Sequence, residues 1–284
     1  MPSVVIPAHN EANVIRRCLD ALPISGCQGD LEIIVVCNGC TDETAQVADA
    51  IEGVRVLQTE TASKSHALNL GDEAASSYPR LYLDADVELE SGAIPALFAA
   101  LSEKVLAVSP APRFQIKRSS LLVRMFYRAW MKMPFYNSSM IGGSGAYALS
   151  EKGRSRFGGF PDIISDDGYV RLQFSQDERR LVTEAASLVH CPRNLKSLLS
   201  MMTRVDAGGI ELRELEGGLL ARNEEVRPSE RIRTIAKHPW LLPSFVVYAT
   251  VRFITRRRAA RVIGPEGCSK WGRDDSSRIE NRAS

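Results

Sequence analysis

No one sign of charge prevails in this chain. Across 284 residues, 36 Lys and Arg stand against 34 Asp and Glu, for a net charge of +2. Apart from a cluster near the C-terminus, the basic residues are spread out rather than drawn into a phosphate-tracking stripe, which argues against a nucleic-acid binder. An internal repeat and a low-complexity tract are also lacking. So is an apolar run of the ~20 residues that a spanning helix needs: the best candidate, Pro239 to Ile254, is interrupted by Pro243 and Arg252. Met1-Pro2-Ser3 leads straight into a strand-like run, so no signal peptide is expected and a reducing cytoplasm is the predicted compartment. Cysteines are few and irregularly spaced: Cys18, Cys27, Cys37, Cys40, Cys191 and Cys268. Cys37-Asn38-Gly39-Cys40 has the Cys-x-x-Cys spacing but no second ligand pair for zinc, since His190 and Cys191 form no zinc motif. A helix start at Thr41-Asp42 leaves Cys40 outside the helix, unlike a thioredoxin-type pair. Both cysteines read as structural.

What is present is a clear alternation. Short apolar strand runs occupy Ser3 to Ile6, Glu32 to Val36, Val54 to Gln58, Arg80 to Leu83 and Val105 to Ser109, several of the continuous kind that is buried on both faces of a parallel sheet. Helix stripes lie between them: Val14, Ile15, Cys18, Leu19 and Leu22; then Ala45, Val47, Ala48 and Ile51, started by Thr41 with Asp42 and Glu43 in the first turn; then Lys64 to Ser76; then Ile94 to Leu101. Alternating β and α elements predict an α/β fold, a mostly parallel central sheet with helices on both faces. In such sheets ligands sit outside the carboxyl ends of the strands.

The polar residues fall at those ends. Ala8-His9-Asn10-Glu11 follows the first strand, Asn38 the second, and Asp84 and Asp86 the fourth. Leu81-Tyr82-Leu83-Asp84-Ala85-Asp86 is the most informative stretch: a strand stops at two carboxylates spaced i, i+2, which an extended backbone projects to one side. An isolated Asp-x-Asp there would read as a solvated acidic turn. Convergence of three polar clusters on one crevice makes it a candidate divalent-cation site, because carboxylates suit hard ions and substrate phosphates complete the shell.

Beyond residue 110 the pattern loosens. Leu121, Leu122, Met125, Phe126, Ala129, Trp130 and Met133 form an amphipathic stripe, read as core packing. Ile141 to Leu149 is a glycine-rich entry to a strand, by close backbone approach to a ligand or by a simple turn. Ser165-Asp166-Asp167-Gly168 is a second acidic cluster, opening a helix through Tyr169, Leu172 and Phe174. His190 ends an apolar run from Ala185 to Val189 and reads as structural.

The order of these motifs resembles that of the family-2 glycosyltransferases with the GT-A fold, over roughly residues 3 to 210. Ser3 to Glu11 resembles their opening strand and Pro-x-x-Asn-Glu turn, and Val35 to Thr44 their Asp-Asp-Gly-Ser-Thr-Asp motif. Lys64-Ser65-His66-Ala67-Leu68-Asn69-Leu70-Gly71 is similar to their Gly-Lys-x-x-Ala-Leu-Asn-x-Gly segment, and Asp84-Ala85-Asp86 to their metal motif. The resemblance implies that Pro7, Ala8 and Glu11 frame the nucleotide, that Asn38 contacts the base, that Asp84 sits near the ribose and that Asp86 holds Mn²⁺ or Mg²⁺. Asp167 matches the second acidic residue of a Glu-Asp pair and would be the general base, with Asp166 as the other candidate. Arg204 is placed like the arginine of a Gln-x-x-Arg-Trp segment and would bind the departing diphosphate; Lys64 and His66 are diphosphate contacts or surface residues. Departures are Cys37 for an aspartate, Ser63 for a glycine, and Met201 and Val205 for the residues flanking the arginine. The last argues against a processive polysaccharide synthase.

The expected organisation is a GT-A domain over 1–235, an apolar and basic helical segment over 236–262 and a disordered tail over 263–284. The basic cluster Arg256-Arg257-Arg258 beside aromatic residues fits attachment to the anionic inner face of a membrane, and equally a helix docked on the catalytic domain. The implied activity is inverting transfer from a nucleotide-diphosphate sugar to a carbohydrate or lipid-linked acceptor in cell-envelope polysaccharide or glycolipid synthesis. Two rivals stand beside it. A sugar-phosphate nucleotidyltransferase would want a glycine-rich phosphate loop where Pro7-Ala8-His9-Asn10-Glu11 stands. A non-catalytic nucleotide-binding assembly protein would not need Asp84, Asp86 and Asp167.

Overall fold

The computed structural model describes residues 1–22, 31–133, 141–223 and 228–262. The expected tail from 263 onward, with Cys27 and Cys268, lies outside them. In chain order the elements are β1 (Ser3–Ala8), α1 (Ile15–Asp20), β2 (Glu32–Asn38), α2 (Thr44–Asp49), β3 (Val54–Thr59), α3 (Lys64–Ala74), β4 (Arg80–Leu83), β5 (Glu88–Leu89), α4 (Ala93–Ala100), β6 (Ala107–Gln115), α5 (Leu121–Trp130), β7 (Ala146–Leu149), α6 (Glu151–Arg154), α7 (Asp166–Leu172), β8 (Arg179–His190), α8 (Leu195–Asn223), α9 (Pro228–Lys237) and α10 (Leu242–Val262). They divide into two compact units: Met1–Arg113 with Ile141–Asp162 and Gln173–Val189, and Phe114–Met140 with Ile163–Leu172 and His190–Ser284.

The first unit is built on a mixed sheet in the order β3-β2-β1-β4-β7-β6-β8-β5. Strands β3, β2, β1 and β4 are parallel, as the alternating pattern predicts. Parallel order gives way at β7, because β7 begins where β4 ends and must run back along it, Ala146 opposite Leu83. Strand β2 shows why helices cover both faces. Ile33, Val35 and Cys37 point into a core with Ile15, Cys18 and Leu19 of α1, whereas Ile34 and Val36 pack against Ala67 and its neighbours on α3. Every one of these side chains is buried, and each large one contributes ~1.5–3 kcal/mol by leaving water.

Helix α3 carries an ionic hub. Asp72 receives hydrogen bonds from Arg80 and Tyr82 of β4, and from Nε and Nη2 of Arg154 on α6 at 2.9 and 2.7 Å. Burial raises the proton affinity of Asp72, but these hydrogen bonds outweigh it and hold the carboxyl below the usual range. One residue earlier, Gly71 lets α3 lie on β1: an added Cβ would sit 2.4 Å from Val5 Cγ1.

Two local details differ from expectation. Helix α2 starts at Thr44 rather than Thr41, because Asp42 takes the Thr44 amide at 3.1 Å from outside the helix. The run from Ala185 is the end of a twelve-residue strand, β8, whose exposed positions hid it from an apolar-run reading.

The second unit is helical. Phe126 and Tyr127 of α5 pack with Leu198 and Met202 of α8 and Val251 of α10. Leu121 and Leu122, expected on the packed stripe, are exposed at 61% and 43% because the buried face of α5 runs through Val123, Phe126, Tyr127 and Ala129. Asp206 of α8 ties down α10, accepting from Thr255 Oγ1 at 2.6 Å and from Arg252 at 2.7 Å.

Replacing Asp72 with alanine strands the buried Arg80 and the half-buried Arg154 guanidinium groups and should cost ~3–5 kcal/mol of unfolding free energy. Because the folded carboxyl is held low, its contribution is fully present above the ordinary aspartate value near ~3.9 and fades as pH falls through the folded value. Urea titrations of both proteins at neutral and acid pH check this, and an unchanged gap down to pH 3 contradicts it.

Candidate active site

At the carboxyl ends of β1 and β2, side chains stitch two loops together. Asn38 Nδ2 donates to the Ala8 carbonyl at 2.9 Å, and His9 Nδ1 donates to the Asn38 carbonyl at 2.5 Å. A carbonyl only accepts, so the His9 proton sits on Nδ1. Asn10, in the left-handed region at φ 52°, accepts from the Thr41 amide at 2.7 Å. Glu11 N donates to Thr44 Oγ1 at 2.7 Å and Ala12 N to Asp42 at 3.2 Å. Pro7, Ala8, Glu11 and Asn38 therefore share one rim, as their strand-end positions predict. Asn38 is only 1% exposed: in this state it is a strut between the loops.

The acidic pair lies at the end of β4 on the same parallel half of the sheet. The backbone does not stay extended there. Val87 N donates to the Asp84 carbonyl at 3.1 Å, closing a turn. Alternation survives nonetheless, with Ala85 and Val87 in the core and Asp84 and Asp86 half-exposed. Lys64, at the first position of α3, reaches Asp84 Oδ1 at 2.7 Å. Arg17 of α1 holds the far side of the turn through the Asp86 carbonyl and Glu88, each at 3.4 Å. Gly145 backs Asp84: its carbonyl accepts from Asp84 N at 2.8 Å, its φ is +65°, and an added Cβ would meet Val87 Cγ2 at 2.5 Å. The glycine-rich entry to β7 thus serves close backbone approach, to the acidic turn itself.

These residues fit a divalent cation of the substrate-assisted kind. Two hard carboxylates one residue apart are present, while no cluster of three or more His, Cys, Asp or Glu able to hold a metal occurs among the described residues. A small hard ion bound by one or two carboxylates takes its remaining ligands from phosphate and water.

The remaining candidates belong to the second unit. Asp166 is 4% exposed. Asp167 is more open, and its Oδ1 accepts from Gly168 N at 2.7 Å and Ser165 Oγ at 3.2 Å. The segment bearing them is pinned to α8: Ile164 N donates to Glu211 at 2.9 Å, and a Cβ on Gly208 would touch Ile164 and Ser165 at 3.1–3.2 Å. Arg204 stands half-buried on α8 and His190 half-buried at the end of β8.

Sequence reasoning missed a brace on helix α3. Asn69 pairs with the main chain of Phe160 in both directions, Nδ2 to O at 3.0 Å and Oδ1 from N at 2.7 Å. It lies within the Lys64 to Gly71 motif, yet spacing alone does not separate a brace from a ligand contact.

The family model described as Glycosyl transferase family 2 matches residues 3–148. A chondroitin synthase of Pasteurella multocida (strain Pm70) is 34% identical over 110 residues, 37% of this chain and 11% of that protein. A PGL/p-HBAD biosynthesis glycosyltransferase of Mycobacterium tuberculosis (strain ATCC 25177 / H37Ra) is 34% identical over 94 residues, 31% of this chain and 36% of that one. The match thus spans about a tenth to a third of these relatives' own length. A Pyrobaculum calidifontis mannosyltransferase solved with GDP-Man and Mn²⁺ superposes with a TM-score of 0.61 at 20% identity, covering 93% of this chain and 81% of that one. Glucosyl-3-phosphoglycerate synthase of M. tuberculosis, solved with Mg²⁺ and UDP, gives 0.55 at 25% identity, covering 74% and 78%.

Two glycines test how tightly the acidic turn is backed. Gly92, at φ +81°, has nothing within 4 Å of an added Cβ, unlike Gly145. Alanine at either should cost ~1–2 kcal/mol for the left-handed backbone, and only Gly145→Ala should add ~1–3 kcal/mol of overpacking. Equal losses in urea midpoints would contradict the contact.

Proposed function

The chain belongs to glycosyl transferase family 2 and is an enzyme of the GT-A fold, and from that premise we propose that it transfers a sugar, with inversion, from a nucleotide-diphosphate donor to an acceptor hydroxyl. What supports this reading is the placement of Ala8, Glu11, Asn38, Asp84 and Asp86, with Lys64 paired to Asp84, after the carboxyl ends of parallel strands. Solved relatives of the same fold carry UDP or GDP-Man with Mg²⁺ or Mn²⁺, which supports a nucleotide donor here.

In this reading Pro7, Ala8, Glu11 and Asn38 frame the nucleotide, Asp84 orients the ribose, and Lys64 and Arg204 offset charge on the diphosphate. Asp86 would hold the divalent cation, which supplies neutralisation of the leaving diphosphate without proton transfer. Asp167 takes the acceptor proton. It is preferred over Asp166 because it is the more open of the two, and its Oδ1 is already oriented by Gly168 N and Ser165. A positioned carboxylate base contributes on the order of 10²–10⁴-fold. Attack opposite the leaving group inverts the anomeric carbon.

The acceptor is a cell-envelope glycan or glycolipid, and the enzyme docks peripherally on the anionic inner face of a membrane. The support lies in α9 and α10. Arg231, Arg252, Arg256 and Arg257 line a groove of about 460 Å³ with Tyr248 and Phe253. On the same helices Ile232, Leu242, Val246 and Phe253, with Trp240 in the turn between them, are exposed at 55–70%. No described helix is long and apolar enough to cross a membrane, whereas aromatic and basic side chains on one helix suit its surface.

Incubation with a panel of nucleotide sugars, Mn²⁺ and candidate acceptors, with released nucleoside diphosphate measured, should reveal at least one donor. Asp167→Asn should bind that donor normally and lose ~10²–10⁴-fold in turnover; turnover at the parent rate excludes Asp167 as the base. Sedimentation with phosphatidylglycerol vesicles should retain the protein and phosphatidylcholine vesicles should not. Arg256→Ala/Arg257→Ala should weaken retention by roughly 1 kcal/mol per charge. Equal retention on both lipids contradicts the docking.

A further inference from the structure

Attraction to an anionic surface needs only positive charge, wherever on a helix it lies. The groove along α9 and α10 is more organised than that. Arg231 of α9 and Arg252, Arg256 and Arg257 of α10 line one space of about 460 Å³, within the ~300–1,000 Å³ of ordinary small-molecule sites. No carboxylate is part of the lining.

Two of the four guanidinium groups are held in place. Arg252 Nη2 donates to Asp206 at 2.7 Å, and Arg257 lies over the Phe253 ring, 4.2 Å from its centroid. The ring orients Arg257 without neutralising it. Asp206 offsets one charge of the four, so the groove keeps an excess of positive charge. Guanidinium forks set in this way suit phosphate oxygens, which they bind through paired, charge-assisted hydrogen bonds.

An apolar stripe shares the groove. Leu242, Val246, Ala249, Phe253 and Ala260 are spaced i, i+4, i+7, i+11 and i+18, which places them on one side of α10, and all five are exposed. Ala249, Phe253 and Ala260 belong to the groove lining, while Leu242 and Val246 continue the stripe to the start of the helix, beside the turn that holds Trp240. A ligand that satisfies both features carries phosphate at one end and hydrocarbon at the other.

We propose that this groove seats the headgroup of a single membrane lipid that ends in a terminal phosphate, a phosphomonoester, with its hydrocarbon against the exposed side of α10. The proposal rests on reading α9 and α10 as the membrane-facing part of the enzyme, and adds a ligand chemistry to it. Charge decides between headgroups. A phosphodiester such as phosphatidylglycerol brings a single negative charge and two free oxygens, whereas a terminal phosphate carries about −1.5 to −2 at neutral pH and offers three acceptor oxygens. The three guanidinium groups beyond the one that Asp206 offsets favour the second.

The full chain is titrated with phosphatidylcholine vesicles carrying phosphatidic acid, with vesicles carrying phosphatidylglycerol at matched surface charge, and with phosphatidylcholine alone, and the bound fraction is read by sedimentation. Phosphatidic acid should hold the protein roughly tenfold or more tightly than phosphatidylglycerol. Arg231→Ala and Arg256→Ala should each remove most of that preference, whereas Arg258→Ala, which deletes the same charge from an exposed position outside the lining, should keep it. Short-chain phosphatidic acid should displace the protein from the vesicles, and inorganic phosphate at the same concentration should not. Equal affinity for the two anionic lipids overturns the site and leaves peripheral docking standing; failure to bind any vesicle overturns both. An equal loss of preference in all three variants reduces the groove to diffuse charge, and displacement by inorganic phosphate reduces it to a site for any anion; each contradicts the proposal. So does a lipid-free dimer, detected by light scattering, that Val246→Asp dissociates, because a second copy of the chain would then cover this side of α10.

Discussion

Parallel pairing of β1, β2 and β4 is the constraint on which the site depends. Strands that run the same way end on the same edge, so the residues that follow each of them meet however far apart they lie in sequence. Ala8 and Asn38 are thirty positions apart and share a hydrogen bond, and Lys64 and Asp84 form an ion pair. Reversing the direction of any one of these strands would send its polar residues to the opposite edge. The antiparallel β7 adds to the same edge from outside, because it starts where β4 stops and brings Gly145 against Asp84.

The segment Lys64 to Asp72 illustrates how one helix combines recognition with support. Lys64 faces the acidic turn, Asn69 braces the main chain at Phe160, Gly71 admits Val5, and Asp72 collects two arginines and a tyrosine. Turning such a helix by one residue would break all four relations at once. A shared motif on this helix is thus as much a packing requirement as a chemical one.

Much of the parallel half was legible in the sequence because continuous apolar runs and 3.6-residue stripes alternate there; the edges of β1 to β4 fall within two residues of expectation. The candidate rim residues were legible for the same reason, being the polar punctuation after those runs. Other features were not. Asp72 carries no local signal, since its partners come from β4 and α6. Leu121 and Leu122 fit the apolar stripe of α5 by spacing, but the packed face is set by α8 and α10, which no helical period reveals. Asp84 to Val87 alternates like a strand while turning, because alternation reports burial, not backbone direction. Cys40 reads as structural from its motif, but the contacts it makes leave no local signal. Its hydrogen bonds to Ala8 and Asn10 exist only once two loops meet.

The account stands on Asp86 and its neighbours gripping a cation together with a nucleoside diphosphate. Titration calorimetry of UDP and GDP, with and without Mn²⁺, into the parent protein and Asp86→Asn tests it most directly. The account predicts that one of these nucleotides binds the parent at least tenfold more tightly with Mn²⁺ than without, and that Asp86→Asn abolishes the metal's effect while keeping the parent's melting temperature. Binding that is indifferent to Mn²⁺, or equally metal-dependent in the variant, would contradict it.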